Sequence, residues 1–468
     1  MGDQSGNNAI GQRLEHGESD LFNLYGMTPK VEVAVITALA EGNVRRVRAL
    51  VSPLHPADQA DLIERLNTPQ RRRLLTMLGQ GLDPETLTYM DEAIAGEAIE
   101  IIGPEGLARA LPELDSDDAI DLLEELEEEE LSGVLEALPS AERLLVEEAL
   151  SYPEDSAGRL MQRELVVCPS HWTVGQLIDF MRGEQELPED FYAIFVTDPA
   201  HRVVGQVMLS RLLASQRPVR MAQIMTEPRL IPVTMDQEEV ALLFRRYALV
   251  TAAVIDEHQR LVGMITVDDV VDVVDEEAEE DLMALGGVSD ASIRSAIGDT
   301  VKSRFPWLLV NLLTAVIASV VIGLFEETIE KLVALAVLMP IVASMGGNAG
   351  TQTVTVAVRA LALRQLSQKS ALRFVIRECS VGSVNGLLFA LTSAAIAYFW
   401  FGDGAIAAVM AFAMLANLMV AGISGTMIPL VLARIGVDPA VASSVFITTV
   451  TDVIGFLTFL GLAALYLV

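Results

Sequence analysis

Phe446-Ile-Thr-Thr-Val-Thr-Asp452-Val-Ile-Gly455 is the most informative stretch of the sequence, because it places one carboxylate in the middle of an apolar helix. A charged side chain that faces lipid at the centre of a bilayer costs roughly 3 kcal/mol by insertion scales. No Lys or Arg lies nearby in this last apolar stretch to pair with Asp452. The carboxylate is therefore expected to face a polar cavity, to be protonated, or to bind a cation.

Two hydroxyl side chains precede Asp452 at helical spacing. Thr448 falls on the same helical face and Thr449 lies close by, so both extend a polar strip. Two subunits would bring two Asp452 carboxylates to a common axis, and such a pair suits hydrated Mg²⁺, which is usually held through its waters by one or two carboxylates. Soft metals would need Cys, His or Met clusters, which this segment lacks. A neutralised carboxyl that serves only packing is the alternative.

The Asp452 stretch ends a series of five apolar segments, each long enough to cross about 30 Å of hydrocarbon as a helix. They run approximately over Phe305–Phe325, Leu332–Val358, Leu372–Phe401, Ala405–Leu432 and Pro439–Val468. The sequence therefore predicts an α-helical membrane domain with five transmembrane helices.

The loops between these segments differ in charge. Basic residues lie before the first span, between the second and third, and between the fourth and fifth, whereas the other two loops carry mostly acids. By the positive-inside rule the basic loops are cytosolic. This predicts a cytosolic N-terminus and a C-terminus outside the cell.

The second span contains Pro340-Ile-Val-Ala-Ser-Met-Gly346-Gly347-Asn348-Ala-Gly350-Thr-Gln352. We expect this segment to interrupt the helix, with Asn348 and Gln352 offering carbonyl ligands to a hydrated ion. The alternative is a close helix contact made by small residues. The fourth span contains the polar residue Asn417, for which helix packing alone is a sufficient explanation.

Charge separates the chain into two halves. The first 300 residues hold 57 acids and 23 Lys+Arg, whereas residues 301–468 hold 7 acids and 9 Lys+Arg. The acidic half repels nucleic acid and attracts cations, although solubility alone is an equally good reading. Two cysteines, one in each half, cannot form a disulfide framework, which fits a reduced cytosolic front end.

Three regions precede the membrane half. Residues 1–26 are rich in Gly, Asn and Ser and are predicted to be disordered. From about 28 to 152 the apolar spacing is helical, and Asp61–Leu66 resembles Asp121–Leu126, which suggests a small superhelical stack. The run Glu127–Glu130 is interpreted as a solvated helix face.

Residues 155–275 show a repeated order of strand, turn, strand and helix. Ala193–Asp198 and Val203–Val207 are followed by Ala252–Asp256 and Leu261–Ile265. This pattern resembles a tandem pair of cystathionine-β-synthase (CBS) domains. The family's nucleotide signature is complete only in the second copy, where Thr266 and Asp269 are candidate ATP contacts. A purely structural role for Thr266 as a helix N-cap remains open.

An acidic connector follows the second repeat. Nine acids and no base lie between Asp268 and Asp281. Like charges three and four residues apart on one helix repel each other. Divalent cations would neutralise them, so the segment is either a gate linked to the membrane half or a solvated acidic helix.

Taken together, these regions resemble the MgtE magnesium channel family. The order of domains matches, and Gly346-Gly347-Asn348-Ala-Gly350, Gly436-Val-Asp438-Pro439-Ala440 and Thr449-Val-Thr-Asp452 look like that family's pore motifs. The resemblance implies a 27–153 helical N domain, CBS domains at 154–220 and 221–275, an acidic plug helix at 276–300 and a pore domain at 301–468.

The resemblance also implies function. It implies a homodimer in the cell inner (plasma) membrane, surrounded by lipid, that passes hydrated Mg²⁺ and closes when cytosolic Mg²⁺ binds. The implied pore residues are Asp452, Thr448, Thr449, Ser444 and Asn348, and the implied regulatory metal ligands are Asp236, Glu238, Asp269, Asp272, Glu277, Glu280 and Asp281. ATP at the CBS domains is a further implied ligand.

One departure and two alternatives remain. The family often has Asn-Pro where this chain has Ser444-Val445, so a hydroxyl replaces a pore amide. The alternatives are a carrier for Mn²⁺ or Co²⁺ and a membrane-anchored sensor of Mg²⁺ or nucleotide. An enzyme is not expected, because the sequence has no Walker-type phosphate loop and no His/Cys metal cluster.

Overall fold

The computed structural model describes residues 28–124, 126, 128–183, 187–188, 191–288, 297–366 and 368–468. It divides into two compact units, Met1–Val274 and Asp275–Val468. The predicted disordered segment 1–26 lies outside the described residues.

The first unit begins with short helices. Their bounds are α1 Pro29–Glu41, α2 Val44–Val51, α3 Pro56–Arg65, α4 Thr68–Leu78, α5 Glu92–Ile102, α6 Pro104–Ala110, α7 Ser116–Glu124, α8 Glu128–Ala137 and α9 Ser140–Leu150. Prolines at first positions and capping side chains set their starts: Asn67, for example, accepts from the backbone of Gln70 at 3.0 Å while the Gln70 side chain accepts in return. The prediction of an all-α N-terminal domain is confirmed.

One continuous apolar core holds these helices together. Leu39, Leu62, Leu75 and Leu107 are fully buried in it. By contrast, Glu128, Glu129 and Glu130 at the start of α8 are exposed, in agreement with the solvated face predicted for that run.

Two small α/β repeats complete the first unit. The first contains β1 Val166–Pro169, α10 Val174–Gly183, β2 Ala193–Thr197, β3 Val203–Met208, α11 Leu209–Ala214 and α12 Met221–Ile224. The second contains β4 Leu230–Pro232, α13 Gln237–Tyr247, β5 Thr251–Ile255 and β6 Leu261–Thr266. Each sheet has one parallel and one antiparallel pair, in the orders β1-β2-β3 and β4-β5-β6. This identical topology confirms the predicted repeat.

The repeats are tied by equivalent glycines. Gly205 in β3 lies so close to Met225 that an added methyl would be 2.5 Å from its sulfur, and Gly263 in β6 is equally close to the Gln162 carbonyl, at 2.7 Å. The segment before the second repeat therefore crosses β3 of the first repeat, and the segment before the first repeat crosses β6 of the second. Both crossings are possible because Gly205 and Gly263 carry no side chain.

A single helix, α14 Val267–Leu285, follows β6 and carries all nine acids of the connector. Val270 and Val273 are buried in the core of the second repeat. The helix is continuous across the boundary between the two units and is followed by Gly287, which adopts φ +68°. The connector is thus an extension of the last helix of the second repeat.

The second unit consists mainly of long apolar helices: α15 Ile297–Gly323, α16 Glu326–Lys331, α17 Ala334–Ala362, α18 Gln368–Phe401, α19 Gly404–Arg434 and α20 Pro439–Tyr466. Five segments are long and apolar enough to cross a membrane, namely Thr300–Gly323, Ala334–Ala362, Ser370–Phe401, Gly404–Arg434 and Val445–Tyr466. We number them as spans one to five. The predicted five-span membrane domain is confirmed.

The fourth span lies at the centre of this unit and packs against spans two, three and five. Its approach to span three depends on glycines: a methyl on Gly382 would be 2.7 Å from the Leu418 carbonyl, and one on Gly422 would be 2.8 Å from the Glu378 carbonyl. Small residues at these crossings allow the backbones to touch, as is common between membrane helices.

Candidate functional site

Asp452 lies inside the helix of the fifth span, as the sequence predicted. Its side chain is half-buried. Among the described residues it accepts no hydrogen bond and forms no ion pair. The next residue back, Thr451, is fully buried and donates to the Ile447 carbonyl at 2.9 Å. Among the described residues Asp452 is thus a carboxylate without a partner in an apolar helix, the arrangement expected of a group that meets a polar path.

The two predicted hydroxyls lie one turn before Asp452. Thr448 and Thr449 both donate to the Val445 carbonyl, at 3.0 and 2.7 Å. These donations use the hydroxyl hydrogens and hold both side chains against the preceding turn of the helix. The Thr448 methyl also lies near Gly347, 3.8 Å from the place of an added methyl. The fifth span therefore packs the methyl groups of Ile447 and Thr448 against the glycine segment of the second.

Asn348 lies on an exposed part of that glycine segment. Its Nδ2 donates to the Ser344 carbonyl at 2.9 Å and to the Ser344 hydroxyl at 3.3 Å. The amide nitrogen is thus engaged within its own helix, which leaves the amide oxygen as the group that an ion could meet. No contact joins Asn348 to Asp452 within the described chain, and the side chain of Ser444 falls outside the described residues.

The predicted interruption of the second span is wrong. Helix α17 runs without a break from Ala334 to Ala362, through Pro340 and all three glycines. The glycines are required for contact instead: a methyl on Gly350 would be 2.3 Å from Ile447 Cγ2. Tight packing against the fifth span keeps the segment helical, so the small-residue alternative is the one observed.

In the first unit, acids on α7 face acids at the start of α14. In addition to burial, the negative charge of Asp269 raises the pKa of Asp115, Asp117 and Asp118. The charge of Asp272 does the same for the pKa of Asp121. We call Asp115, Asp117, Asp118, Asp121, Asp269 and Asp272 the acidic cluster. No basic residue is among its members, so bringing the two helices together costs free energy unless cations or protons bind.

Burial makes this cost large. Asp117 is only 7% exposed, and neither of its carboxylate oxygens has a hydrogen-bond partner among the described residues. Burial, reinforced by Asp269, raises the pKa of Asp117 well above its ordinary value. Burial and the same neighbour raise the pKa of Asp118 to about 7. Unpartnered buried carboxylate oxygens are the ligands that hard cations such as Mg²⁺ prefer.

The predicted regulatory residues separate into groups. Asp269 and Asp272 belong to the acidic cluster. Asp236 caps α13 by accepting from the Glu238 backbone at 2.9 Å. Glu277 and Glu280 lie further along α14. Within the described parts of the chain, no three carboxylate, imidazole or thiolate groups converge as a preformed metal site.

Asp281 near the end of α14 has a neighbour that sequence reasoning did not include. Burial and the charge of Asp438 raise the pKa of Asp281. Asp438 itself caps α20 by accepting from the Ala440 backbone at 2.8 Å. Within the second unit the connector therefore ends with two like charges beside the start of the helix that carries Asp452.

The candidate nucleotide residues bond to each other. Both the backbone N–H and the hydroxyl of Thr266 donate to the Asp269 carboxylate, at 3.2 and 2.5 Å. This carboxylate caps the start of α14 and lies within the acidic cluster. Both bonds end on Asp269 Oδ2, and they favour the structural reading of Thr266, whose hydroxyl hydrogen is taken up by this contact.

Sequence analysis missed Asp115, Asp117 and Asp118, and it named Asp438 only as part of a pore motif and not as a neighbour of Asp281. Acids in a first helical turn are ordinary helix-starting residues, which hides Asp117 and Asp118. One signal was available in the sequence. On this short helix three acids, Asp117, Asp118 and Asp121, stand close to Ile120 and Leu123, which are buried. Nothing local, however, indicates that a second acidic helix lies opposite.

Comparisons with known proteins agree over most of the chain. Three family models match: the MgtE intracellular N domain at residues 54–155, the CBS domain at 157–217 and 221–276, and a divalent cation transporter model, MgtE, at 339–462.

The chain is also similar to characterised relatives. It is 32% identical to the magnesium transporter MgtE of Bacillus subtilis, over 92% of this chain and 96% of that protein. It is 33% identical to the magnesium transporter MgtE of Thermus thermophilus, over 94% of this chain and 99% of that protein. A crystal structure of the cytosolic domain of the Mg²⁺ channel MgtE in complex with ATP matches 52% of this chain and 99% of that chain, with 33% identity and a TM-score of 0.48. The chain therefore belongs to the MgtE family of magnesium transporters, as its motifs predicted, and it is a multi-pass membrane transporter and not an enzyme.

Proposed function

We propose that the protein conducts hydrated Mg²⁺ down its electrochemical gradient and that Asp452 is the carboxylate that meets the ion. The observation that carries the proposal is a half-buried acid in the last span that has no partner in the described part of the chain and is preceded by two hydroxyls. Mg²⁺ dehydrates reluctantly, so binding through its waters by one or two carboxylates suits its chemistry.

The pore in this proposal lies between two identical subunits. One Asp452 in each chain gives a pair of carboxylates at a two-fold axis, and closed two-fold dimers are the commonest soluble homo-oligomers. The basic loops face the cytosol and the C-terminus faces outward, by the positive-inside rule. Asn348, Thr448, Thr449 and Ser444 contribute oxygens near the ion's path.

Cytosolic Mg²⁺ closes the pore in the same proposal. The acidic cluster and the acids of α14 repel one another when no cation is bound. A cation between two carboxylates relieves this repulsion and favours the arrangement in which they lie together. Because α14 is one continuous helix, ion binding along it is linked to the membrane half. Asp236, Glu238, Glu277, Glu280 and Asp281 are further proposed ligands in this response.

ATP enters the proposal only as a ligand class for the CBS repeats. Its support is the signature Gly263-Met-Ile-Thr266-Val-Asp-Asp269. Since Thr266 and Asp269 bond to each other, no step of the transport cycle is assigned to nucleotide.

The conduction proposal is tested by Asp452→Ala and Asp452→Asn in proteoliposomes, with Mg²⁺ influx measured from a magnesium-sensitive dye. We expect Asp452→Ala to reduce influx at least tenfold, and Asp452→Asn to raise the half-saturating Mg²⁺ concentration, because the pair of charges is lost. Asp403→Asn is the matched control, since Asp403 only caps the fourth span by accepting from Ala405 at 2.7 Å. Wild-type influx through Asp452→Ala would remove this residue from the mechanism.

A further inference from the structure

Asn417 occupies the centre of the membrane unit. It is a polar side chain of the fourth span with no exposed surface. Its Nδ2 donates to the Val342 carbonyl of the second span at 2.8 Å. A hydrogen bond between membrane helices is directional, so it fixes both the distance and the rotation of the two spans.

Two glycines contact the same amide from opposite helices. A methyl on Gly346 of the second span would lie 2.2 Å from Asn417 Nδ2, and a methyl on Gly455 of the fifth span would lie 2.7 Å from it. Neither position tolerates a side chain while Asn417 is present. Asn417 is therefore held between the backbones of the second and fifth spans.

The oxygen of the amide completes the contact. Asn417 Oδ1 is buried and has no hydrogen-bond partner among the described residues. A methyl on Gly346 would be 3.0 Å from this oxygen, and one on Gly455 would be 3.3 Å away. Both glycines therefore lie against the amide and are nearest to its Nδ2, so the contact is one of close packing on both sides of the side chain.

These contacts lie next to the residues proposed to meet the ion. Gly346 is two residues before Asn348, and Gly455 is three residues, almost one helical turn, after Asp452. A change in the Asn417 contact would move the backbone that carries the Asp452 carboxylate and the backbone that carries the Asn348 amide. Ion recognition is sensitive to such movements, because ligands must be held to within about half an ångström.

We propose that Asn417 is a positioning residue for ion selection: it sets the separation of the glycine segment of span two from the Asp452 turn of span five. It does not touch the ion. The inference rests on the proposed role of Asp452. It means that a residue of the fourth span controls the distance between the Asp452 carboxylate and the Asn348 amide.

The test uses the fact that a methyl at position 455 and the amide of Asn417 compete for the same space. Gly455→Ala should reduce Mg²⁺ influx in proteoliposomes at least tenfold, because its methyl collides with the amide. Asn417→Ala should leave the protein monodisperse but raise the half-saturating Mg²⁺ concentration severalfold and reduce the preference for Mg²⁺ over Mn²⁺, Co²⁺ and Ca²⁺. The double variant Asn417→Ala/Gly455→Ala should recover most of the influx that Gly455→Ala loses, since the new methyl fills the space of the amide.

Gly461→Ala is the matched control on the same helix. Its methyl would meet only Phe325, at 3.9 Å, so influx and ion preference should equal those of the wild type. Asn417→Ser, which keeps a small polar group, supplies the same readout if Asn417→Ala does not fold.

Two results would overturn the inference. One is an unchanged ion preference and half-saturation in folded Asn417 variants, which would leave Asn417 a packing residue. The other is a double variant no better than Gly455→Ala alone. Because Asp452→Ala is measured in parallel, loss of influx there together with either result rejects the role of Asn417 while keeping that of Asp452; wild-type influx through Asp452→Ala rejects both.

Discussion

At the scale of single residues, each half of the protein has a carboxylate without a basic partner among the described residues. Asp452 meets this description in the fifth span, and Asp117 meets it in the first unit, where both oxygens are buried without a hydrogen-bond partner among the described residues. A buried carboxylate in this situation either takes up a proton or binds a cation. Protons and Mg²⁺ are therefore expected to compete at the acidic cluster.

This competition predicts a pH dependence for the first unit. The pKa of Asp118 rises from 3.8 to about 7 on folding, so the folded unit binds protons more tightly than the unfolded chain. Without divalent cations, stability should be highest below about pH 4 as far as this group is concerned, and should fall as the pH rises toward about 7. Asp118 alone accounts for at most about 4 kcal/mol of this decline.

The measurement is the thermal unfolding of the full-length protein in detergent at about pH 5.5 and about pH 8. Limited proteolysis of the first unit monitors the unfolding. Asp118→Asn should make the dependence shallower, because one of several titrating carboxyls of the acidic cluster is gone, and Mg²⁺ should restore stability chiefly at the higher pH. Equal pH dependence in the wild type and in Asp118→Asn would contradict the assignment.

The sequence identified Asp452 but not Asp117, and the reason is physical. A lone acid within about twenty apolar residues has few explanations in any fold, so its local sequence is sufficient. The burial of Asp117 depends on α14, which begins 150 residues later at Val267. Only the tertiary packing brings Asp269 beside it.

At the scale of helices, α14 and α17 differ from the sequence-based expectations in instructive ways. The acidic connector was expected as a separate helix, but it continues the last helix of the second repeat from Val267. The glycine segment was expected to open the second span, but contacts with Asn417 and Ile447 keep it helical. In both cases tertiary contacts decide between alternatives that local propensity leaves open.

Opposition between α7 and α14 predicts how the first unit responds to Mg²⁺. Replacing the three α7 acids (Asp117→Asn, Asp118→Asn, Asp121→Asn) removes three of the six charges of the acidic cluster, so the protein should resist protease without Mg²⁺ and gain little when Mg²⁺ is added. The matched control neutralises three exposed acids on the next helix, Glu128→Gln, Glu129→Gln and Glu130→Gln. It removes the same charge, and its Mg²⁺-dependent protection should remain that of the wild type.

The comparison of the two triple variants is decisive for the role of the cluster. If the α7 variant keeps full Mg²⁺-dependent protection, or if the exposed control loses it equally, then general charge rather than the facing helices governs the response.

At the scale of the whole molecule, order along the chain was predictable and assembly was not. Helical spacing, a duplicated strand pattern and five apolar segments each arise from local periodicity, so the sequence predicts the succession of domains. The pairing of acids across helices, the contacts of Asn417 and the number of subunits depend on surfaces that no short motif encodes. These features therefore require structure or experiment.

The proposed valve depends on many weak sites acting together. Each bound cation contributes only its preference for the closed state, typically about 1–3 kcal/mol in coupled systems. Nine acids on one helix offer several such sites. Their sum gives a steep response to cytosolic Mg²⁺, and closure at high Mg²⁺ provides negative feedback on uptake.

The most direct test of this central claim is patch-clamp recording of channel current while internal Mg²⁺ is raised, in the wild type and in a variant with five α14 acids neutralised. The changes are Asp269→Asn, Asp272→Asn, Glu277→Gln, Glu280→Gln and Asp281→Asn, and the exposed triple variant of α8 again serves as control. We predict that the wild type and the control close as Mg²⁺ rises, whereas the five-fold variant stays open. Closure of the five-fold variant at the same Mg²⁺ concentration as the wild type would contradict the account, because α14 would then be only a solvated acidic helix.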